Sequence, residues 1–254
     1  MADPRLLLEI ESGIATITIN RPEKLNALDP DMLTLFEAIV GKIDNDTGIR
    51  VAILTAAGEK AFCAGADINA WAALAPLDMW RRWVRDGHRV FDAFAALRQS
   101  TIGALNGFAF GGGLELALAA DIRIAATHAT FASPEVKIGT VPGWGGTFRL
   151  PRVIGVPRAK QLIFTGARID AATAAGWGLV NEVVPADELL ARAWALAEEI
   201  AANAPISVQI AKQIMDGVPA SLEALAGALT ATSADGREGA AAFREKRPPD
   251  FTGL

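Results

Sequence analysis

A carboxylate, Glu115, follows three consecutive glycines in a stretch that could carry out proton transfer. Residues 109–116 read AFGGGLEL and come shortly after an apolar, β-prone run at residues 102–105. The glycines allow a sharp turn and let another group approach main-chain N–H donors without a Cβ in the way. Because a helix leaves its first amides unpaired, donors at this turn can receive a developing negative charge. The pattern predicts proton transfer beside a stabilised oxyanion, whereas the structural alternative is a tight strand–helix joint with an acid on the helix dipole.

Two other stretches have related features. Residues 62–68 read FCAGADI, a small-residue turn that follows a predicted strand and enters a helix. Two such turns supply the two backbone donors that a thioester or carboxyl oxyanion requires. Residues 131–146 read FASPEVKIGTVPGWGG, where Ser133 and Pro134 resemble the cap and first position of a helix. The glycine-rich end suits a ligand-binding loop, and Glu135 is either a second functional acid or an acid on a helix dipole.

Composition restricts the class of protein. A chain of 254 residues with 51% hydrophobic residues can bury a large core, and its net charge of −5 argues against a nucleic-acid-coating role. The one cysteine, Cys63, excludes an internal disulfide and suits a reducing compartment. Two histidines far apart in the sequence, without a histidine–cysteine cluster, predict no metal site.

The chain is expected to be cytoplasmic and not to bind a membrane. The first eleven residues carry three acids and no long apolar run, unlike a signal peptide. The nearest approach to a membrane span, residues 102–120, contains Asn106, the glycine triplet and Glu115, which are costly in lipid. A buried strand–turn–helix explains that segment better.

Periodicity predicts the elements that hold these residues. Residues 6–11 and 14–20 predict a β-hairpin, and Asp29 followed by Pro30 predicts the start of a helix. The expected buried face of that helix is Met32, Leu33, Phe36, Ile39 and Val40. Residues 76–97 predict one helix whose apolar stripe, interpreted as core, is Leu77, Trp80, Val84, Phe91 and Phe94. Strands alternate with helices early and helices dominate late, which predicts an α/β core followed by a helical region.

These stretches together resemble the enoyl-CoA hydratase/isomerase (crotonase) family from about residue 5 to residue 253. The resemblance rests on six motifs in order along the chain, at residues 20–28, 62–68, 106–115, 131–143, 145–147 and 238–247. It implies a crotonase-like spiral of ββα turns that contains the active site, at residues 1–195. It also implies a C-terminal helical region at residues 196–254 that serves oligomerisation and covers coenzyme A. Homotrimers, or hexamers made of two trimers, are the assemblies that this resemblance implies.

The resemblance also assigns roles to the candidate residues. It implies acyl-CoA thioester substrates, with the backbone N–H groups of Ala66 and Gly112 forming an oxyanion hole around the thioester carbonyl. The presence of acids at both Glu115 and Glu135 resembles the hydratases of the family, because the isomerases typically keep only the second acid. Glu115 would then activate a water for C3 of a 2-enoyl thioester, Glu135 would protonate C2, and Gly143 would add a backbone N–H to the water. Coenzyme A is part of the substrate, and no separate cofactor is implied.

Further residues match family positions that contact coenzyme A. The positions that line its nucleotide and pantetheine are matched by Lys24, Leu25, Ala64, Asp67 and Ile68. Phe243 and Lys246 match a tail segment that reaches coenzyme A, often across a subunit boundary. Trp144 and Phe148 are departures, because small and amide residues are frequent there in short-chain hydratases. With Trp80 and Trp83, which could also reshape the acyl pocket, they leave the acyl preference open.

Other functions are compatible with parts of this pattern. An isomerase that moves a 3,4 double bond to the 2,3 position would use Glu135 alone. A CoA-thioester hydrolase, or a lyase for a substituted acyl group, could use the same two acids. A non-catalytic scaffold would predict a disrupted oxyanion turn or missing acids, and neither is seen. RNA binding is disfavoured by the acidic balance and by the lack of a basic stripe.

Overall fold

Two β-sheets and the helices around them form the fold. A computed structural model describes residues 4–71, 74–217 and 222–254. The strands are β1 (Leu6–Glu11), β2 (Ile14–Ile19), β3 (Val51–Ala56), β4 (Ala61–Cys63), β5 (Ser100–Leu105), β6 (Phe108–Phe110), β7 (Ile122–Ala126), β8 (Thr130–Ala132), β9 (Arg168–Asp170) and β10 (Glu182–Val184).

Helices connect and cover these strands. They are α1 (Pro30–Asn45), α2 (Ile68–Trp71), α3 (Pro76–Asp78), α4 (Arg85–Ala95), α5 (Gly112–Ala117), α6 (Gly146–Ile154), α7 (Val156–Thr165), α8 (Ala171–Trp177), α9 (Leu189–Ala201), α10 (Pro205–Met215), α11 (Glu223–Thr232) and α12 (Ala234–Glu245). A π-helix, Met79–Val84, joins α3 to α4, and 3-10 turns lie at Pro22–Lys24 and Glu135–Ile138. The sequence predicts a helix over residues 221–231, and its first residue, Ser221, lies outside the described residues.

From β3 to β8, successive strands alternate between the two sheets. The larger sheet has the order β1-β2-β3-β5-β7-β10, and the smaller has the order β4-β6-β8-β9. The β1–β2 hairpin is antiparallel, as its sequence predicts, and β2, β3, β5, β7 and β10 run parallel. The pairs β3/β4, β5/β6 and β7/β8 each contribute one strand to each sheet. This repetition places the ends of β4 and β6, and the turns that follow them, side by side.

The main core lies among the sheets, α1 and α4. Asp29 caps α1 by accepting the Met32 N–H, and all five predicted apolar residues of α1 are buried. The prediction of one apolar stripe along residues 76–97 is wrong at its start. Phe91 and Phe94 are buried, but Leu77 is 57% exposed and Trp80 is 67% exposed.

The C-terminal helices are tied to the larger sheet by buried charge. The Lys212 ammonium on α10 lies 2.8 Å from the Asp121 carboxylate and donates to the Gln99 carbonyl at 3.0 Å. Arg50 donates to the carbonyls of Ala201 and Phe251. The predicted boundary between residues 195 and 196 falls inside α9, which packs on β3 and β5. The division into two parts stays a prediction.

Among the described residues, no helix combines the length and apolar character needed to cross a membrane.

Candidate active site

Four parts of the chain meet at one cavity of about 250 Å³. It is lined by the turn after β4, the π-helix, the start of α5, and the stretch that runs from the Glu135–Ile138 turn into the loop before α6. Among the residues predicted for the site, those that line it are Ala64, Ala66, Ile68, Gly112, Glu115, Glu135 and Gly143. The two small-residue turns and the two acids therefore share one cavity, as the sequence predicts.

The two glycine-containing turns touch each other through their backbones. Gly65 has a φ of +100°, and a Cβ on it would lie 2.8 Å from the Phe110 carbonyl oxygen and 3.0 Å from the Gly112 nitrogen. Only glycine permits both this conformation and this approach. Among the described residues, the backbone N–H groups of Ala66 and Gly112 donate to no backbone or side-chain acceptor. Both residues line the cavity, so both N–H groups are available to an oxygen placed there.

Glu115 is held in place by the loop that precedes α6. Its side chain is buried, and its Oε1 accepts hydrogen bonds from the amides of Trp144 and Gly146, each at 2.7 Å. A Cβ on Gly146 would lie 3.0 Å from that oxygen, so the close approach depends on glycine. With Oε1 saturated by two donors, Oε2 is the oxygen left to bind a ligand.

Glu135 reaches the cavity from the 3-10 turn. The sequence predicts that Ser133 caps a helix backbone, and that prediction is wrong. The Ser133 hydroxyl donates to Glu135 Oε2 at 2.8 Å, and no amide of the described residues is capped by it. The other oxygen, Oε1, is buried without a hydrogen-bond partner among the described residues. A Cβ on Gly111 would lie 3.3 Å from it, which places this oxygen beside the glycine turn that precedes α5.

Both acids hold their protons more tightly than ordinary carboxyl groups. Burial raises the pKa of Glu115 to about 7 against the opposing effect of the Gly146 and Trp144 amides, and repulsion from Glu135 adds to the rise. Burial also raises the pKa of Glu135, and hydrogen bonds from its own backbone amide and from Ser133 partly offset this rise. Near neutral pH such a pair can hold one proton between its members. One carboxyl can then accept a proton while the other donates one.

Aromatic side chains form the apolar wall. Trp144 is buried, packs against Trp83 with ring centroids 5.1 Å apart, and meets Phe91 edge-on at 5.2 Å. Trp83 and Val84 of the π-helix line the cavity together with Trp144, whereas Trp80 does not. Of the tryptophans considered as modifiers of the pocket, Trp83 and Trp144 border it. Phe148 lies outside the lining and packs against His88, with the two rings tilted and their centroids 5.6 Å apart.

The remaining predicted coenzyme A contacts lie outside the cavity lining of this chain. The Asp67 carboxylate pairs with Arg21 at 2.9 Å, and Leu25 accepts the Ala64 N–H through its carbonyl. Phe243 is 86% exposed on α12, and Lys246 ends that helix in a left-handed conformation. For these residues and for Lys24, contact with coenzyme A stays a prediction.

Cys63 has no exposed reactive group. It is fully buried at the end of β4, and burial raises its thiol pKa to about 12. Its sulfur accepts the Gly65 N–H at 3.3 Å. Such a thiol forms little thiolate at neutral pH, and Cys63 serves as a packing residue of the main core.

Comparison with known proteins identifies the family. Residues 9–254 match the family model described as "Enoyl-CoA hydratase/isomerase". The chain belongs to the enoyl-CoA hydratase/isomerase family. The expected crotonase fold is confirmed, because the crystal structure of an enoyl-CoA hydratase from Bacillus anthracis superposes with a TM-score of 0.95. That structure is 40% identical and covers 98% of this chain and 100% of its own.

Curated relatives in the enoyl-CoA hydratase/isomerase family carry hydratase names. The short-chain-enoyl-CoA hydratase of Clostridium acetobutylicum is 45% identical over 83% of this chain and 80% of its own length. The crotonyl-CoA hydratase of Syntrophomonas wolfei is 40% identical over 99% of both chains. The prediction that the chain is an enzyme of the hydratase type is therefore confirmed at the level of the family.

Sequence reasoning missed two residues that support the acids. Ser133 was assigned to a helix cap, although its position two residues before Glu135 equally allows a side-chain contact. Arg149 was not singled out, and its guanidinium donates to the Trp144 carbonyl at 3.0 Å. The signal available for Arg149 was a basic residue in the first turn of a helix that follows a glycine-rich loop.

Proposed function

We propose that the protein adds water across the 2,3 double bond of a 2-enoyl-CoA thioester. The observation that supports this most strongly is that Glu115 and Glu135 line one cavity beside the amides of Ala66 and Gly112. An isomerase needs one acid at this place, whereas hydration needs one group for the water and one for the carbon. The names of the hydratase relatives agree with this assignment.

In this proposal the amides of Ala66 and Gly112 bind the thioester carbonyl oxygen. Addition of water at C3 moves electrons onto that oxygen and forms an enolate. Donors that are already oriented stabilise the enolate without reorganisation, by about 3–4 kcal/mol for each donor. The contact between the two turns at Gly65 keeps both amides on the same side of the cavity.

The two acids divide the proton transfers. Glu115, ionised and fixed through Oε1, takes a proton from water with Oε2 while the water oxygen bonds to C3. Glu135 carries the shared proton on its unpartnered Oε1 and delivers it to C2, so that the enolate becomes the 3-hydroxyacyl thioester. We propose that the Gly143 N–H orients the same water. The acids then exchange their proton with solvent and return to the starting state.

Coenzyme A recognition and assembly complete the proposal. We propose that Lys24, Leu25, Ala64, Asp67 and Ile68 border the coenzyme A portion of the substrate, which needs no separate cofactor. Phe243 and Lys246 would contact coenzyme A across a subunit boundary in a homotrimer or a hexamer. A cytoplasmic location stays a prediction.

The test follows the loss of enoyl-thioester absorbance with crotonyl-CoA and a longer 2-enoyl-CoA. We expect the wild type to hydrate crotonyl-CoA, and Glu115→Gln and Glu135→Gln each to lower kcat by about 10²–10⁴-fold. Glu198→Gln, an exposed acid on α9, is the matched control and should retain full activity.

The alternatives predict different results. If the wild type hydrates neither substrate but converts 3-enoyl to 2-enoyl thioesters, with only Glu135 required, the protein is an isomerase. Release of free coenzyme A from the same thioesters, measured as new thiol, would instead identify a hydrolase. A wild type inactive in all three assays would contradict an enzymatic role.

A further inference from the structure

We propose that Arg149, anchored by Asp92, is the positioning residue that holds Glu115 ready for the water. This inference rests on the proposed hydratase function and adds a residue to it. Arg149 is buried in the first turns of α6, and its Nη1 donates to the Trp144 carbonyl at 3.0 Å. Its Nη2 donates to Asp92 of α4. One guanidinium therefore connects α4 to the loop before α6.

The loop that Arg149 fixes is the loop that binds Glu115. Trp144 accepts from Arg149 with its carbonyl, and its own amide donates to Glu115 Oε1 at 2.7 Å. Gly146 supplies the second donor to the same oxygen at 2.7 Å. A shift of the Trp144 peptide would therefore change the position of Glu115 as well.

Gly145, which lies between Trp144 and Gly146, allows the Arg149 guanidinium to approach the loop closely. Gly145 has a φ of +112°, and a Cβ at this residue would overlap Arg149 Nη1. The two glycines thus have separate roles, since Gly145 admits Arg149 and Gly146 admits the Glu115 carboxylate. The planar guanidinium of Arg149 makes two contacts at once, with the Trp144 carbonyl and with Asp92. A lysine ammonium cannot reproduce both.

Arg149 is also the cation that faces Glu115. The charged groups that act on Glu115 are Glu135, which opposes its ionisation, and Arg149, which favours it. His88 lies one step further out, with its Nε2 at 3.1 Å from Asp92. Removing the guanidinium takes away both the loop anchor and the favourable charge, and each loss makes Glu115 harder to ionise.

The experiment compares pH profiles of kcat for crotonyl-CoA hydration in four variants. Arg149→Gln should move the rise of kcat on the acidic side of the profile, assigned to ionisation of Glu115, upward by about one pH unit. The kcat at pH 6 then falls about tenfold relative to wild type, and the difference becomes smaller as the pH is raised. Arg149→Lys keeps the charge, so we expect a lower kcat with a smaller shift. KM should change less than kcat, because no contact with coenzyme A is lost.

Two neighbouring residues provide the controls. Arg152 lies in the same helix and over the same Phe148 ring as Arg149, yet it makes no hydrogen bond to the loop among the described contacts. Arg152→Gln should leave the profile unchanged, and so should His88→Gln. A profile in Arg149→Gln equal to that of Arg152→Gln would overturn the proposal, as would disappearance of the rise in His88→Gln.

If the wild type has no hydratase activity, the proposed function is refuted, but the positioning role of Arg149 can still be tested. The pH dependence of unfolding reports ionisation of Glu115 independently of catalysis. Arg149→Gln should then extend to higher pH the range over which the folded state loses stability, relative to Arg152→Gln. Identical pH dependence in the two variants would overturn the positioning role.

Discussion

At the scale of single residues, Glu115 has to carry a charge where burial opposes it. Its pKa of about 7 lies above the ordinary value of 4.5, so the folded protein binds this proton more tightly than the unfolded chain does. Folding stability from this group is complete below the ordinary value and is lost as pH rises through 7. The residue proposed to activate water is thus one that weakens the fold at neutral pH.

Glu115→Gln should remove this loss of stability. The amide stays neutral and can still accept the N–H groups of Trp144 and Gly146 with its oxygen. We expect the free energy of unfolding of the variant, relative to wild type, to increase by about 2–3 kcal/mol between pH 5 and pH 8. Urea unfolding at several pH values measures this. Glu198→Gln is the control, and parallel curves for wild type and Glu115→Gln would contradict the expectation.

The residues of the site were predictable from sequence to different degrees. Glu115 and Gly112 belong to one short motif in which an acid follows a glycine turn, so local chemistry was enough to suggest them. The contact of Arg149 with the Trp144 carbonyl depends on the left-handed conformation of Gly145, which the residue type permits but does not dictate. The Ser133 hydroxyl had two possible partners, a backbone amide and the Glu135 carboxylate, and sequence alone could not choose between them.

At the scale of elements, helix α1 was predicted well and the segment from residue 76 was not. The apolar spacing of α1 follows a regular 3.6-residue period with a cap and a proline at its start. In the π-helix Met79–Val84, hydrogen bonds reach one residue further, so side chains leave the stripe that an α-helical period predicts. The consequence is that Trp83, rather than Trp80, packs on Trp144 and borders the cavity.

Helix α4 approaches Trp144 so closely that it has a glycine there. A Cβ on Gly87 would overlap the Trp144 indole, whereas a Cβ on Gly41, within α1, meets no atom within 4 Å. We expect Gly87→Ala to lower the free energy of unfolding by about 1–3 kcal/mol. It should also lower kcat, because displacing the Trp144 indole moves the Trp144 backbone amide that donates to Glu115. Gly41→Ala should stabilise by up to about 1 kcal/mol, since only helix propensity changes.

Urea unfolding monitored by tryptophan fluorescence measures both glycine variants. The two substitutions add the same methyl group within a helix, so their difference isolates the contact with Trp144. Equal unfolding midpoints for Gly87→Ala and Gly41→Ala would show that the indole adjusts freely, and the wall of the cavity would then be less rigid than its packing indicates.

At the scale of the whole molecule, apolar side chains remain on the surface of the helical region. Met215 is 80% exposed and Phe243 is 86% exposed, and Leu225 and Leu229 on α11 are each at least 60% exposed. Exposed apolar residues that cluster on one part of a surface are typical of an interface. The sequence predicted that this region serves assembly through its resemblance to the family, and no periodicity in it identifies how many copies associate.

The assembly prediction is tested by mass and by coenzyme A affinity together. Each chain has a mass of 26.7 kDa, so sedimentation equilibrium should give about three or six times that mass. A 26.7 kDa species at micromolar concentration would contradict the prediction.

Lys246→Gln should raise the KM for crotonyl-CoA about tenfold, as expected for one lost charged contact. Lys160→Gln, at an exposed position on α7, should not raise it. A crotonyl thioester of pantetheine, which lacks the nucleotide, should show no effect of Lys246→Gln. An equal effect on both substrates would mean that Lys246 acts on the fold of the tail rather than on binding of the nucleotide.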